Sequence, residues 1–330
     1  MAIADTYEAG PTTYLERAYF NYFMNDYLVF TAGRLPTVDG PPLHWEDNVS
    51  REGTYSHLAY SNVLDGVATT VNLNKYMPQD HSLNFRFIYT PFSNVGTSIV
   101  AGGVLPSGNP GSIATKTGGK MDSISPLYVG MAEYSLKGQR FSDVLVLAQV
   151  LVGNNIFYGR SSTYGEIRVD YNTYSLYSHV TNLMNWGLDL SATAYMSTTK
   201  NDSVFTGLGG AYSSVKDVTK YGHAVLLTTR YAIPVAMLNN PSAGMEYIYG
   251  DKNFNKIDPV SRDVEGFYST RGYGYHFYYS QPIETGLKLR FGYITKTDKY
   301  ARGDVLGDVT DAKIRNNKTK NIYAQVRLDF

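Results

Sequence analysis

The sequence predicts an all-β chain: one antiparallel transmembrane β-barrel of about 14 strands, with short turns on one side and long loops on the other. Three observations predict it. Apolar residues recur at every second position along many segments, and helical spacing is hard to find anywhere. The segments run to roughly ten residues, the reach of a tilted strand across a bilayer. The connections alternate between a few residues and stretches longer than soluble β domains carry repeatedly.

Taken in order, segments 14–24 and 27–34 open the chain, joined by Asn25 and Asp26 in a short hairpin turn. Segment 63–73 follows. Leu83, Phe85, Phe87 and Tyr89 then oppose Asn84 and Arg86. Segments 127–136 and 143–152 come next, and the second holds the longest apolar run, VLVLAQVLV, interrupted only by Gln149. Gly165, Ile167, Val169 and Tyr171 oppose Glu166, Arg168, Asp170 and Asn172. Trp186, Leu188, Leu190, Ala192, Ala194 and Met196 oppose Asp189, Ser191, Thr193 and Tyr195. Segments 220–231 and 243–250 lead to Tyr273, Tyr275, Phe277 and Tyr279, opposite Gly274, His276 and Ser280. Leu287, Leu289, Phe291 and Tyr293 oppose Gly286, Lys288, Arg290 and Gly292. The last segment sets Ile322, Ala324, Val326, Leu328 and Phe330 against Asn321, Tyr323, Gln325, Arg327 and Asp329. A further strand is expected near 204–211. Short connections fall at 25–26, 137–142, 180–181 and 282–284, long ones at 35–62, 93–126, 197–219, 251–269 and 297–318. Residues 14–330 read as a single domain behind a short N-terminal remnant, 1–13.

Composition narrows the class. Lys+Arg and Asp+Glu are both 29, so no global positive field draws nucleic acid. There is no cysteine, which removes thiol nucleophiles, Cys-ligated zinc and any disulfide framework. The 30 tyrosines and 31 glycines suit twisted strands and tight turns. No stretch of 18 apolar residues supports a transmembrane helix. The opening MAIADTYEAG lacks the basic and apolar regions of a signal peptide.

A soluble sandwich also alternates, so the quality of each face decides. The polar face here mixes Gly, Ser, Thr and Asn with charges, which suits a wet lumen. Tyr89, Phe92, Tyr128, Tyr171, Trp186, Tyr231, Tyr279 and Tyr293 stand near strand ends, as an interfacial aromatic girdle would. Phe330 closes the chain on the apolar face of its strand. A terminal aromatic in that register resembles the signal read by the barrel-assembly machinery of bacterial outer membranes.

Three stretches carry a narrower resemblance. They are LERAYFNYFMNDYLVFTAGRLPTVDGPP at 15–42, AGMEYIYGDKNF at 243–254 and STRGYGYHFYYSQPI at 269–283. Together they resemble an uncharacterised porin-like family of Gram-negative outer-membrane β-barrel proteins, a domain of unknown function. The likeness spans roughly 14–330. It implies an outer-membrane pore with lipid around it but no established substrate, and it supplies no catalytic residues. Family members are longer, so the chain is expected to lack an N-terminal part. A homo-oligomer is compatible with the family, though no interface signal is visible.

The candidate site residues follow from the polar parities. Arg86, Glu166, Arg168, Asp170, Arg230, Lys288, Arg290, Arg327 and Asp329 are expected to line the pore. Charges there filter solutes by sign and size, or form ion pairs with acids such as Glu166 and Asp329. Loop 33–48 holds Arg34, Asp39, His44, Glu46 and Asp47, and its DGPP stiffens it. It is a candidate constriction folded into the lumen. The six histidines show no HxH, HxxxH or HExxH spacing, so no metal is expected, and no cofactor either. No GxSxG occurs. GLGGAYSS at 207 and TGGK at 117 lack nucleotide-binding context, so no enzyme is expected. The expected function is passive diffusion of small hydrophilic solutes across a bacterial outer membrane. Two other readings fit parts of the pattern: an outer-membrane barrel that docks or sheathes a partner protein, and a soluble secreted β protein binding glycans.

Overall fold

The computed structural model describes residues 17–61, 64–92, 126–161, 165–201, 205–206, 213–214, 219–256, 264–300 and 314–328. Thirteen strands form one sheet: β1 (Ala18–Phe23), β2 (Leu28–Leu35), β3 (Leu64–Asn72), β4 (His81–Phe92), β5 (Leu127–Gly138), β6 (Phe141–Ser161), β7 (Gly165–Leu183), β8 (Leu188–Asn201), β11 (Thr219–Ala232), β12 (Ser242–Gly250), β13 (Gly272–Glu284), β14 (Leu287–Tyr300) and β15 (Ile314–Leu328). Every neighbouring pair is antiparallel and follows chain order. The all-β antiparallel class is therefore the observed one. Of the expected strand near 204–211, Phe205–Thr206 is described as β9, paired with β10 (Ser213–Ser214) outside the main sheet, which has 13 strands among the described residues. Among the described residues no ladder joins β1 to β15.

The sheet is wrapped around one loop. Residues 36–61, between β2 and β3, touch side chains on β5, β6, β7, β11, β14 and β15. A flat sheet cannot bring strands so far apart in order onto one loop. The face toward the loop is concave, and the other is convex.

Burial along β8, β13 and β14 follows the predicted parity, with its sense inverted from a soluble protein. In β8, Asp189, Ser191, Thr193, Tyr195, Ser197 and Thr199 are buried while Leu190 is exposed. In β13, His276, Tyr278 and Ser280 are buried against exposed Tyr273, Tyr275 and Phe277. In β14, Arg290 is 4% exposed and its neighbour Phe291 50%. Two apolar clusters lie on the concave side. One joins Tyr55 and Tyr60 of the loop to Ile88, Val129, Met131, Leu145 and Leu147 on β4–β6. The other joins Leu43, Leu58 and Ala59 to Leu226, Ile248, Phe254 and Tyr268.

Two local expectations need correcting. The chain does not turn at 180–181: β7 runs on to Leu183, and the turn lies at 184–187. Met184, Asn185 and Gly187 take the left-handed backbone there, and Trp186 stands on that exposed turn rather than starting a strand. Tyr171 is not an interfacial aromatic. It is fully buried, its hydroxyl 2.7 Å from that of Tyr195 and donating to the Asn255 carbonyl at 3.0 Å. Tyrosine serves rim and interior alike, because its hydroxyl can be satisfied in either place.

Candidate functional site

The loop's own chemistry explains its compactness. The two limbs touch backbone to backbone where Gly40 meets Tyr55 and Gly53 meets Val38, contacts that a Cβ at either glycine would block. Thr54 N donates to the Pro36 carbonyl at 3.0 Å and His57 N to the Pro41 carbonyl at 2.9 Å. A single 3-10 turn, Leu43–Trp45, projects the acidic segment that follows it toward the far wall. At the loop's root Arg34 grips Asp65 of β3 with two bonds, 2.8 and 3.0 Å. Arg34 thus anchors the loop at its base, and Asp39 is buried within the loop, its N–H donating to Ser61 Oγ at 3.3 Å.

The acidic limb meets a basic wall. Glu46 accepts from Arg290 of β14, and Asp47 lies 3.1 Å from the same guanidinium. Asp47 also accepts from Arg327 of β15 at 2.8 Å. Glu52 pairs with Arg327 and lies 3.6 Å from Arg17, which precedes β1. One carboxylate therefore links groups at both ends of the sheet. Opposite, Arg51 pairs with Glu133 of β5 at 2.9 Å. Arg230 of β11 donates to Asp189 at 2.6 Å and to Asn48 at 3.2 Å, and stacks over Trp45 at 5.6 Å. Charge-assisted bonds of this kind are the strong class, and those of Arg290 are shielded from water.

Under the loop lies a fully buried cluster. Tyr268 Oη is 2.5 Å from Glu46 Oε1 and 2.6 Å from Glu246 Oε2 of β12. His276 Nδ1 is 3.0 Å from Glu246 Oε2, and its Nε2 is 2.6 Å from the Tyr323 hydroxyl. Glu46, Glu246 and His276 bring ligand-type atoms within 4.8 Å of one another. The phenol already stands between the carboxylates, and Arg290 already supplies the positive charge a cation would bring. The cluster reads as a hydrogen-bond network rather than a metal ligand set.

His44 is buried beside Trp45 and faces His179, Arg230 and Arg51. Burial first, then the electrostatic effect of these neighbours, lowers its pKa from 6.5 to about 3, so it stays neutral. Beside it opens a polar cleft of roughly 760 Å³. Trp45 and Arg51 of the loop bound it on one side, and Asp143, His179, Asp189 and Arg230 on the other. Ser142, Asn182 and Gly187 also line it, so it opens at the short-turn end.

Of the residues expected to line a pore, Arg86, Arg230, Lys288, Arg290 and Arg327 lie on concave parities. Arg86 donates to Thr70 at 3.1 Å. Asp170 departs from the expectation: it shares the parity of exposed Tyr174 and Leu176, on the convex face. The side chains of Glu166 and Arg168, together with Asp329 and Phe330, lie outside the described residues, as does Phe92's side chain. Among the described residues Arg290 and Arg327 pair with loop acids; Glu166 and Asp329, the acids expected as partners, lie outside those residues. Sequence reasoning missed Arg17, Arg51, Glu52, Asp189, Glu246 and Tyr268 as site residues. Glu246 carried a usable signal, as the one charge in MEYIYG opposite Met245, Tyr247 and Tyr249.

No protein-family model matches the chain, and no curated protein matches it. Among solved structures it is similar to outer-membrane expressed OmpT of Vibrio cholerae, with 9% identity and a TM-score of 0.48. The superposition covers 92% of this chain and 76% of that one.

Proposed function

We propose that the chain is a porin-like barrel of a bacterial outer membrane, through which small hydrophilic solutes diffuse passively past the seated loop 36–61. Membership of the uncharacterised porin-like family is part of this proposal. One observation carries it: the burial pattern is inverted. Phe87, Leu227, Phe291 and Ile322 are exposed at 58, 47, 50 and 82%, while Glu246 and Arg290 are buried. A convex face of this kind is stable only when something apolar covers it. Each large side chain moved from water into hydrocarbon contributes on the order of 1.5–3 kcal/mol. A soluble glycan-binding protein would leave that face in water. In the proposed reading no bond is made or broken. The loop narrows the lumen, and the cleft between Arg51, Asp143 and Arg230 is the polar way past it.

The experiment is reconstitution of the full chain into planar lipid bilayers. Discrete ion conductance that increases when loop 36–61 is replaced by a short Gly-Ser linker supports the pore. A membrane-inserted, heat-modifiable protein that conducts with neither loop would remove the channel reading. The dense seating of the loop would then favour the second reading, a plugged barrel that docks a partner.

A further inference from the structure

The contacts around Tyr268 contain a counting problem. Its hydroxyl carries one proton, yet lies at hydrogen-bond distance from two carboxyl oxygens, 2.5 Å from Glu46 and 2.6 Å from Glu246. Two unprotonated oxygens that close repel each other. The phenol can donate to one carboxylate only. The other short contact requires a second proton, carried by the carboxyl group and donated to the phenol oxygen. His276 Nδ1 meets the same Glu246 oxygen at 3.0 Å, but a proton on that nitrogen would lie along the nitrogen–oxygen line and would not fill the contact between phenol and carboxyl.

We propose that Glu46 and Glu246 share one proton through Tyr268, and that this proton latches loop 36–61 onto the wall. Glu46 is the loop's contribution. Glu246 is held by β12, and Tyr268 by the segment just before β13. The three residues are at most 2% exposed, so water cannot screen the carboxylates from each other. When the proton leaves to solvent, two carboxylates face one phenol, and the pair separates most easily by moving the loop.

The surrounding charges come from every element packed on the cluster. Asp47 and His57 belong to the loop. Arg230 comes from β11, His276 and Tyr278 from β13, Arg290 from β14 and Tyr323 from β15. Lys256 reaches in from the β12–β13 connection, 5.3 Å from the Tyr268 ring and 3.2 Å from His57 Nε2. Arg290 bonds Glu46 on the oxygen not used by Tyr268, and His276 Nδ1 lies 3.6 Å from the oxygen that is. Burial pushes the Glu46 carboxyl up from the usual carboxylate range. It also pushes the Tyr268 phenol well above its ordinary value, with the two carboxylates adding to it, so the carboxyl is the acid that ionises. The sign follows. A carboxyl raised in the seated state stabilises seating at low pH, and that stabilisation is lost as pH rises through the raised pKa.

Loop seating can be read on Trp45, which is 1% exposed and belongs to the loop. The chain has two tryptophans, and Trp186 stands on an exposed turn, so Trp186→Phe leaves Trp45 as sole reporter. With that chain in detergent, raising the pH is expected to red-shift Trp45 emission. Its access to a neutral quencher should increase several-fold, with the slope of a single proton, before the tyrosines at large ionise. Glu46→Gln installs an amide that donates permanently to Tyr268 and accepts from Arg290, so it should remain seated and show no such transition. Glu246→Gln should do the same through Thr228, which is 3.4 Å from its other oxygen. A flat trace in the parent, or an unchanged transition in both Gln variants, overturns the latch. So does a transition set by chelators rather than pH, which would assign the cluster to a metal ion. His44 cannot produce the alkaline transition, since as a base held neutral it can release the loop only as pH falls below 6.5 toward about 3. The functional consequence rests on the loop being the constriction. A chain that shows the transition without conducting keeps the latch and loses the pore.

Discussion

The concave face has two walls that hold the same loop by different means. On β4–β6 the wall is apolar: Ile88, Val129, Met131, Leu145 and Leu147 receive Tyr55 and Tyr60. On β11–β15 it is charged: Arg230, Arg290 and Arg327 receive Asn48, Glu46, Asp47 and Glu52. The apolar contact is non-directional and would tolerate a loop shifted by an ångström or two. The charged contact is not tolerant, because each guanidinium must meet particular loop oxygens at hydrogen-bond distance. The difference suggests a division of labour. The apolar wall supplies adhesion, and the charged wall supplies register and sensitivity to protons and salt.

The largest effect should come from breaking the charged wall where it is driest. Arg290→Ala leaves Glu46 beside Glu246 with no guanidinium, while Asp47 keeps its bond to Arg327. Removing one partner of a buried pair costs about 3–5 kcal/mol, because the stranded charge cannot be rehydrated. The heat-induced gel shift from folded to unfolded band should move to markedly lower temperature, and addition of Glu46→Gln should recover part of the loss. No recovery would mean that Arg290 supports the wall rather than the loop.

The apolar wall gives the matching test. Leu147 is 0% exposed and packs with the loop tyrosines. Leu147→Ala should cost roughly 2–5 kcal/mol by transfer and cavity terms together. Unlike Arg290→Ala, this loss should not vary with salt or pH. If it varied with either, the two walls would not be separable, and the comparison would fail.

These walls were unequally legible in the sequence. Alternation in β8, β13, β14 and β15 could be read because a lipid-facing side chain and a lumen-facing one differ sharply in polarity. Even so, the alternation expected in β7 puts Tyr171 on the wrong face and Val180 in a turn, although β7 continues through it. The partners were harder. Arg290 and Glu46 are 244 residues apart, and strand parity states only which way Arg290 points, not what loop will meet it. Lumen charge was therefore visible, and its neutralisation by the loop was not. Glu246 and Tyr268 escaped for a related reason. A short MEYIYG segment gives a face, but a shared proton needs three groups from three parts of the chain.

The smallest effect should fall at the seam. β1 and β15 are the first and thirteenth strands of an alternating sheet, so they run in the same direction. Glu52 links Arg17, just before β1, to Arg327, near the end of β15, and all three side chains keep 21–25% exposure. Water reaches such pairs, so each is worth no more than about 1 kcal/mol. Glu52→Gln keeps a carbonyl that can accept from one arginine but removes the charge that attracts both. The transition temperature of the parent should fall as salt is added, because screening weakens the pair. That of Glu52→Gln should start slightly lower and depend less on salt, the two curves converging at high ionic strength. The latch at Glu46 should be untouched, since Glu52 bonds neither Arg290 nor Tyr268. A loss for Glu52→Gln as large as that for Arg290→Ala would reverse the assignment. The loop would then serve first to hold the two edges of the sheet together, and its place in the lumen would follow from that.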